Sequence, residues 1–188
     1  MVRQIGYSPE EFAHITIEKE GGFDKAKQTL DKKEVKPSNY HPIPVKTNSA
    51  GEKYSKILNK IFINDYDFKD YDRATNIYWP GNKLGHGRED VIKFWNSLKS
   101  ILSEIKFKIE HVGYLDEPNR NPRASIRWSL EGIHSKDSKD YGKKTNSNLS
   151  FIGINHAELN PYGVIKEWVL FDEVAIWKQI LMNRNKNG

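Results

Sequence analysis

Near the end of the chain, even spacing puts Trp168 and Asp172 on one face of a β-strand, and His156 lies near the close of its hairpin partner, where a one-residue change of register decides whether it shares that face. Trp168 and Asp172 are four residues apart, and His156 precedes them across Asn160-Pro161-Tyr162-Gly163, a tetrapeptide with hairpin-turn chemistry. A carboxylate that ends an apolar strand has two readings. It caps the helix that follows, as Asp commonly does, or it faces a cavity and works as a general acid or base. His134 shares the parity of Ile126, Trp128 and Leu130 and so faces the same side of its strand. It reads either as a hydrogen-bonded core histidine or as a polar group inside a pocket.

Other chemistries find less support. The histidines at 14, 41, 86, 111, 134 and 156 form no His-x-His or His-Glu-x-x-His, and no carboxylates cluster with them, so no metal site is expected. Gly85-His86-Gly87-Arg88-Glu89-Asp90 opens like a phosphate-binding glycine loop, but the sixth position is Asp90 and no strand-helix-strand unit surrounds it. It reads as a helix-entry turn. No Gly-x-Ser-x-Gly elbow is present. Trp79, Trp95, Trp128, Trp168 and Trp177 lie at core spacing, where each either packs or lines a pocket, and Tyr78 adjoins the first of them.

Composition bounds the function further. Zero cysteines exclude disulfides, thiolate metal sites and a cysteine nucleophile, and they point to the cytoplasm rather than an oxidising compartment. The net charge of +5 is spread along the chain, and basic residues are not interleaved with exposed aromatics, so nucleic acid is not an expected partner. No apolar run approaches the roughly 20 residues of a membrane span. Arg3, Glu10, Glu11 and Glu18 interrupt any signal-peptide core. The sequence therefore predicts a soluble protein.

The elements that must position these residues follow from periodicity. Ser8-Pro9-Glu10-Glu11 starts a short helix that ends at Gly21-Gly22, and Pro37, Pro42 and Pro44 prevent a long helix in the segment after it. Residues 1–48 read as an N-terminal extension, 49–183 as the domain and 184–188 as a tail. Ser49 and Glu52 form a second capping box, before Tyr54, Ile57, Leu58, Ile61 and Phe62 recur at helical spacing. A helical turn over 67–73 leads into a β-prone run over 75–79, stopped by Pro80-Gly81. A further helix covers 88–103, with Val91, Phe94, Trp95, Leu98, Ile101 and Leu102 on its apolar stripe.

From Ile105 the period becomes two. Strands are predicted from 105, over 123–131, over 149–158 and over 164–172, and a last helix over 173–182. The final two strands carry apolar residues on both faces: Leu149 and Phe151 oppose Ile152 and Ile154, and Trp168 and Leu170 oppose Val169 and Phe171. With helices for one face only, a second copy of the chain is expected on the other, as a homodimer. Helices followed by an antiparallel meander make an α+β protein.

Over residues 53–181 this order of elements resembles the SnoaL-like polyketide-cyclase and ester-cyclase branch of the nuclear-transport-factor-two-like superfamily. The resemblance rests on Tyr71-Asp72, Trp79-Pro80-Gly81, Gly87 and Gly153-Ile154. It rests also on Arg127-Trp128-Ser129-Leu130-Glu131-Gly132-Ile133-His134, similar to the family's Arg-Trp-x-x-x-Gly-x-His. The most specific stretch is Gly163-Val164-Ile165-Lys166-Glu167-Trp168-Val169-Leu170-Phe171-Asp172, similar to Gly-x-Ile-x-Glu-Trp-x-x-x-Asp, with Gln179 in the helix after it. Where the family usually has Gly-x-Pro-Thr-Gly, this chain has Gly142-Lys143-Lys144-Thr145-Asn146.

The resemblance implies a cone, a curved antiparallel sheet packed on three helices around an apolar pocket, and a dimer formed through the sheet. It implies acid/base work by Asp172 with His156 nearby. The expected function is cofactor-independent chemistry of cyclase, isomerase or lyase type on a small, largely apolar carbonyl compound. In it Asp172 moves a proton, His156 or His134 polarises oxygen, and Trp79, Trp95, Trp128, Trp168 and Tyr78 line the pocket. The alternative is a non-catalytic ligand-binding or dimerisation module of the same fold.

Overall fold

The computed structural model describes residues 6–26, 49–63 and 66–184. The Pro-rich part of the extension, with Pro37, Pro42 and Pro44, lies outside the described residues. Helix α1 (Pro9–Lys19) starts on the expected reciprocal cap: the Ser8 hydroxyl accepts from the Glu11 amide at 3.2 Å, and the Glu11 carboxylate accepts from the Ser8 amide at 2.7 Å. Helix α2 (Ser49–Ile63) buries the stripe of Tyr54, Ile57, Leu58, Ile61 and Phe62. Strands β1 (Tyr71–Trp79) and β2 (Lys83–His86) form a hairpin that leads into α3 (Gly87–Ser100), whose Val91, Phe94, Trp95 and Leu98 are buried.

Three long strands follow, β3 (Leu102–Leu115), β4 (Arg123–His134) and β5 (Asn148–Asn160), then β6 (Gly163–Phe171) and helix α4 (Glu173–Arg184). They make one six-stranded sheet in the order β2-β1-β6-β5-β4-β3. The sheet is α+β as expected, but it is mixed rather than wholly antiparallel, because β1 runs parallel to β6. Four strands and a helix lie between β1 and β6 in the chain, and a connection this long reaches either end of β1 and so allows parallel pairing.

Two further differences have local causes. The helix predicted to reach residue 103 ends at Ser100, and β3 begins at Leu102, which pairs with His134. Glu104 adopts a φ of 53°, and the β3–β4 register shifts between Ser103 and Lys106, so the expected alternation begins only beyond this bulge. Strand β2 was not expected, and it forms by pairing Lys83 with Trp79 and Leu84 with Tyr78 across the Pro80-Gly81-Asn82 turn.

The helices α2 and α3 pack on one face of the sheet, and Phe62, Phe94, Trp95, Phe107, Trp128, Phe151 and Phe171 form a connected set of ring contacts there. Gly153 is required in this layer. It pairs with Trp128, and a Cβ on it would sit 2.0 Å from the indole ring. Helix α1 packs on α4, with ion pairs from Glu10 to Arg184 at 3.3 Å and from Glu20 to Lys178 at 2.7 Å.

Candidate functional site

Inside the sheet, alternation along β5 and β6 turns Asn155 and Glu167 toward the helices along with Phe151, Ala157, Val169 and Phe171. Glu167 is fully buried, and no cation among the described residues pairs with it. Its carboxylate instead accepts four hydrogen bonds. Tyr54 donates at 2.5 Å and Asn155 at 2.8 Å to Oε1, while Tyr71 donates at 3.0 Å and Trp95 at 3.4 Å to Oε2. Asn155 also donates to the Tyr54 hydroxyl at 2.9 Å and accepts from the Trp128 indole at 2.7 Å.

Burial raises the Glu167 pKa above its ordinary 4.5, and the four donors pull against that rise. The hydroxyls of Tyr54 and Tyr71 are pushed well above their ordinary value, first by burial and then by the charge of Glu167. This cluster joins α2, β1, α3, β4, β5 and β6. The sequence did signal it: a Glu at an inward position of an apolar strand is rare unless partnered, although the donors are up to 113 residues away.

The residues expected to do chemistry fall into three places. Tyr78, Trp79, Trp168 and Asp172 line one groove of about 1070 Å³ at the turn of the β1–β2 hairpin, together with Pro9, Lys83, Phe171 and Val174. Tyr78 and Trp168 are paired across β1 and β6 and stack at 5.4 Å with an 8° interplanar angle. Trp79 stacks on Phe94 at 5.2 Å. Asp172 is exposed and uses Oδ1 to accept from the amides of Val174 at 2.9 Å and Ala175 at 3.1 Å, the N-cap geometry of α4.

A register shift between Glu158 and Leu159 sets His156 opposite Trp168, and its ring meets the indole edge-on at 5.5 Å. Both lie on the outer face of the sheet. Four residues of strand separate Trp168 from Asp172, roughly 13 Å, so the histidine borders the groove but does not reach the carboxylate. His134 is elsewhere. It is fully buried at the far end of β4, with Nδ1 3.3 Å from the Thr145 hydroxyl, and burial followed by the nearby charge of Arg184 lowers its pKa. Trp95 and Trp128 are fully buried in the interior, where their indole N–H groups serve the Glu167 cluster. The expected convergence of Asp172, His156 and His134 on one pocket is therefore corrected: the carboxylate and three aromatics share a groove, one histidine flanks it, and the other is remote.

Among the described residues, no helix is long and apolar enough to cross a membrane. No group of three or more metal-ligating side chains occurs among them either.

Neither a protein-family model nor a curated protein matches the sequence. Solved structures do match. A protein assigned as a SnoaL-like polyketide cyclase from Shewanella putrefaciens aligns at 15% identity over 73% of this chain and 88% of its own, with a TM-score of 0.57. IdmH from Streptomyces antibioticus, assigned as a polyketide cyclase, aligns at 12% identity over 71% of this chain and 99% of its own, with the same TM-score of 0.57. A protein assigned as a SnoaL-like polyketide cyclase from Jannaschia aligns at 13% identity over 69% and 92%, with a TM-score of 0.54. At these identities the likeness is one of architecture, and the chain has the α+β fold of these SnoaL-like structures.

Proposed function

We propose that this chain is a cofactor-independent small-molecule enzyme that takes a largely apolar carbonyl compound in the groove at the end of the β1–β2 hairpin. One observation carries the reading: Tyr78, Trp79 and Trp168 line the same groove as Asp172. An aromatic groove with a few polar groups is the usual form of a small-ligand site. Two helix amides hold Asp172 Oδ1, so the carboxylate is fixed in place, and among the described residues Oδ2 receives no hydrogen bond. In the proposed reaction Oδ2 takes a proton from the carbon next to the carbonyl, leaving an enolate, and returns it after the bond change. His156 is the histidine that polarises oxygen, for a ligand long enough to cross Trp168. His134, behind Thr145, has no part.

Asp172→Asn keeps an oxygen for the cap and removes the base. General acid/base catalysis contributes on the order of 10² to 10⁴ in rate, so turnover of a carbonyl substrate identified by screening is expected to drop by that range. Unchanged turnover in Asp172→Asn rejects the assignment. The exposure of Asp172 and its use as a cap favour the second reading, a ligand-binding module without catalysis. That reading expects Asp172→Asn to bind the ligand as wild type does and no turnover in either protein.

The outer face of the sheet exposes Ile152 at 63%, Ile154 at 45% and Leu170 at 64%, beside Tyr78, His156 and Trp168. A patch of this kind fits a second copy of the chain, and the proposed protein is a cytoplasmic homodimer through this face. Light scattering that finds a monomer removes the dimer, whereas a dimer that Leu170→Glu dissociates supports it.

A further inference from the structure

About 18 Å from the groove, at the other end of the 12-residue helix α4, lies a second pocket that none of the chemistry above uses. Its volume is about 520 Å³, and it is lined by Glu10 of α1, by Gly142, Lys143, Lys144 and Thr145 of the β4–β5 loop, and by Arg184. Three cations thus face one carboxylate.

Arg184 is held on three sides. Its guanidinium lies 5.5 Å from the centre of the Trp177 ring, it pairs with Glu10 at 3.3 Å, and it packs against Gly142. Gly142 has a φ of +72°, which favours glycine, and a Cβ there would push the Arg184 guanidinium from its place. The lysines are exposed. The nearby acid Asp137 is engaged through Oδ1 by the Lys144 amide at 2.8 Å.

Two buried nitrogens are left without partners in this region, Arg184 Nε and His134 Nε2. The His134 Nδ1 is 3.3 Å from the Thr145 hydroxyl, and Thr145 is itself a wall of the pocket. A buried polar atom without a partner calls for an unobserved water or ion. The Thr145 hydroxyl is engaged with Ser147 at 2.6 Å, and a fixed guanidinium with two flanking ammonium groups supplies the donors that recognise phosphate oxygens.

We propose that this pocket binds a phosphate group, free or as a phosphomonoester, through Arg184, Lys143 and Lys144. The site is independent of the groove. Arg184 supplies the oriented fork, the lysines supply field and the outer contacts, and Glu10 restrains Arg184 while opposing the anion.

The test is a titration of the full chain with inorganic phosphate, and in parallel with phenyl phosphate, at constant ionic strength, followed by amide NMR shifts. Saturable shifts at Lys143, Lys144 and Thr145 are expected. The Lys143→Gln/Lys144→Gln variant, altered only at exposed positions, is expected to bind at least about tenfold more weakly with an unchanged melting temperature. Glu10→Gln is expected to bind about threefold more tightly, because it frees Arg184 and removes a like charge. Saturation by phenyl phosphate alone identifies the ligand as an ester, and saturation by both identifies the phosphate group itself as sufficient. Shifts that never saturate, that move Lys106 and Lys108 equally, or that persist unchanged in the double variant overturn the site. So does Glu10→Gln if it lowers stability and leaves phosphate affinity as it was.

Discussion

Strand β6 and its exit present two carboxylates five residues apart, Glu167 and Asp172, and the fold treats them in opposite ways. Glu167 points into the helices, where both oxygens are filled by donors from two tyrosines, an asparagine and a tryptophan. Asp172 stands in solvent at the mouth of a groove, with one oxygen spent on two helix amides. A carboxylate with no vacant lone pair in a packed interior ties elements together, because every donor aimed at it depends on it. A carboxylate with an open oxygen beside aromatic walls can act on a ligand. The contrast gives the residue with the perturbed pKa a structural place and leaves the exposed one for the proposed chemistry, against the common association of perturbed groups with active sites.

The largest test of that contrast is Glu167→Ala. It leaves buried hydroxyl, amide and indole donors unsatisfied, each worth about 1–3 kcal/mol. The expected loss is about 3–5 kcal/mol, enough to lower the melting temperature by roughly 10 °C in a chain of this size. A shift under about 2 °C would mean that water replaces the carboxylate without cost, and the structural assignment would fail.

How much of this was legible in the sequence depends on the range of the cause. The stripe from Tyr54 to Phe62, the stripe from Val91 to Leu98 and the alternation from Ala124 to Leu130 are set by neighbours within a turn or two, and each was read correctly. The strand Lys83–His86 was missed because four residues containing a glycine carry no period. The parallel pairing of β1 with β6 joins segments about 90 residues apart, which no local pattern encodes. For the site, the turn alone does not set His156 against Trp168: Asn160 pairs with Gly163 and Leu159 with Val164, and a register shift between Glu158 and Leu159 moves His156 from the position opposite Glu167 to the one opposite Trp168. Parity carries no distance, so the roughly 13 Å from that pair to Asp172 is not legible in it, and three of the four donors to Glu167 come from α2, β1 and α3, which only the tertiary fold assembles.

A titration sharpens the comparison at smaller amplitude. The folded pKa of Glu167 lies above its ordinary 4.5, raised by burial. The native state therefore binds this proton more tightly than the unfolded chain does. The associated stability is fully present below the unfolded value and is lost as pH rises through the folded one. His134 has the opposite sign: its folded pKa is depressed below the ordinary 6.5, so its contribution is present above that value and is lost on acidification. Urea denaturation at a series of pH values, comparing wild type with Glu167→Gln, is expected to show a stability difference that declines as pH rises. A difference independent of pH would show that Glu167 keeps one protonation state throughout.

The smallest effect discriminates best at Asp172. Asp172→Ala removes the acceptor for the Val174 and Ala175 amides, and loss of an N-cap costs about 1 kcal/mol, or 2–4 °C in melting temperature here. Asp172→Asn keeps an oxygen in the same place and ranks with Asp as a cap, so its melting temperature should match wild type. The two variants therefore separate the roles of one side chain. If catalysis runs through Oδ2, both lose turnover equally while only the alanine variant loses stability. If the residue is a cap alone, ligand affinity follows neither substitution, and the alanine variant differs from the asparagine one only in its melting curve.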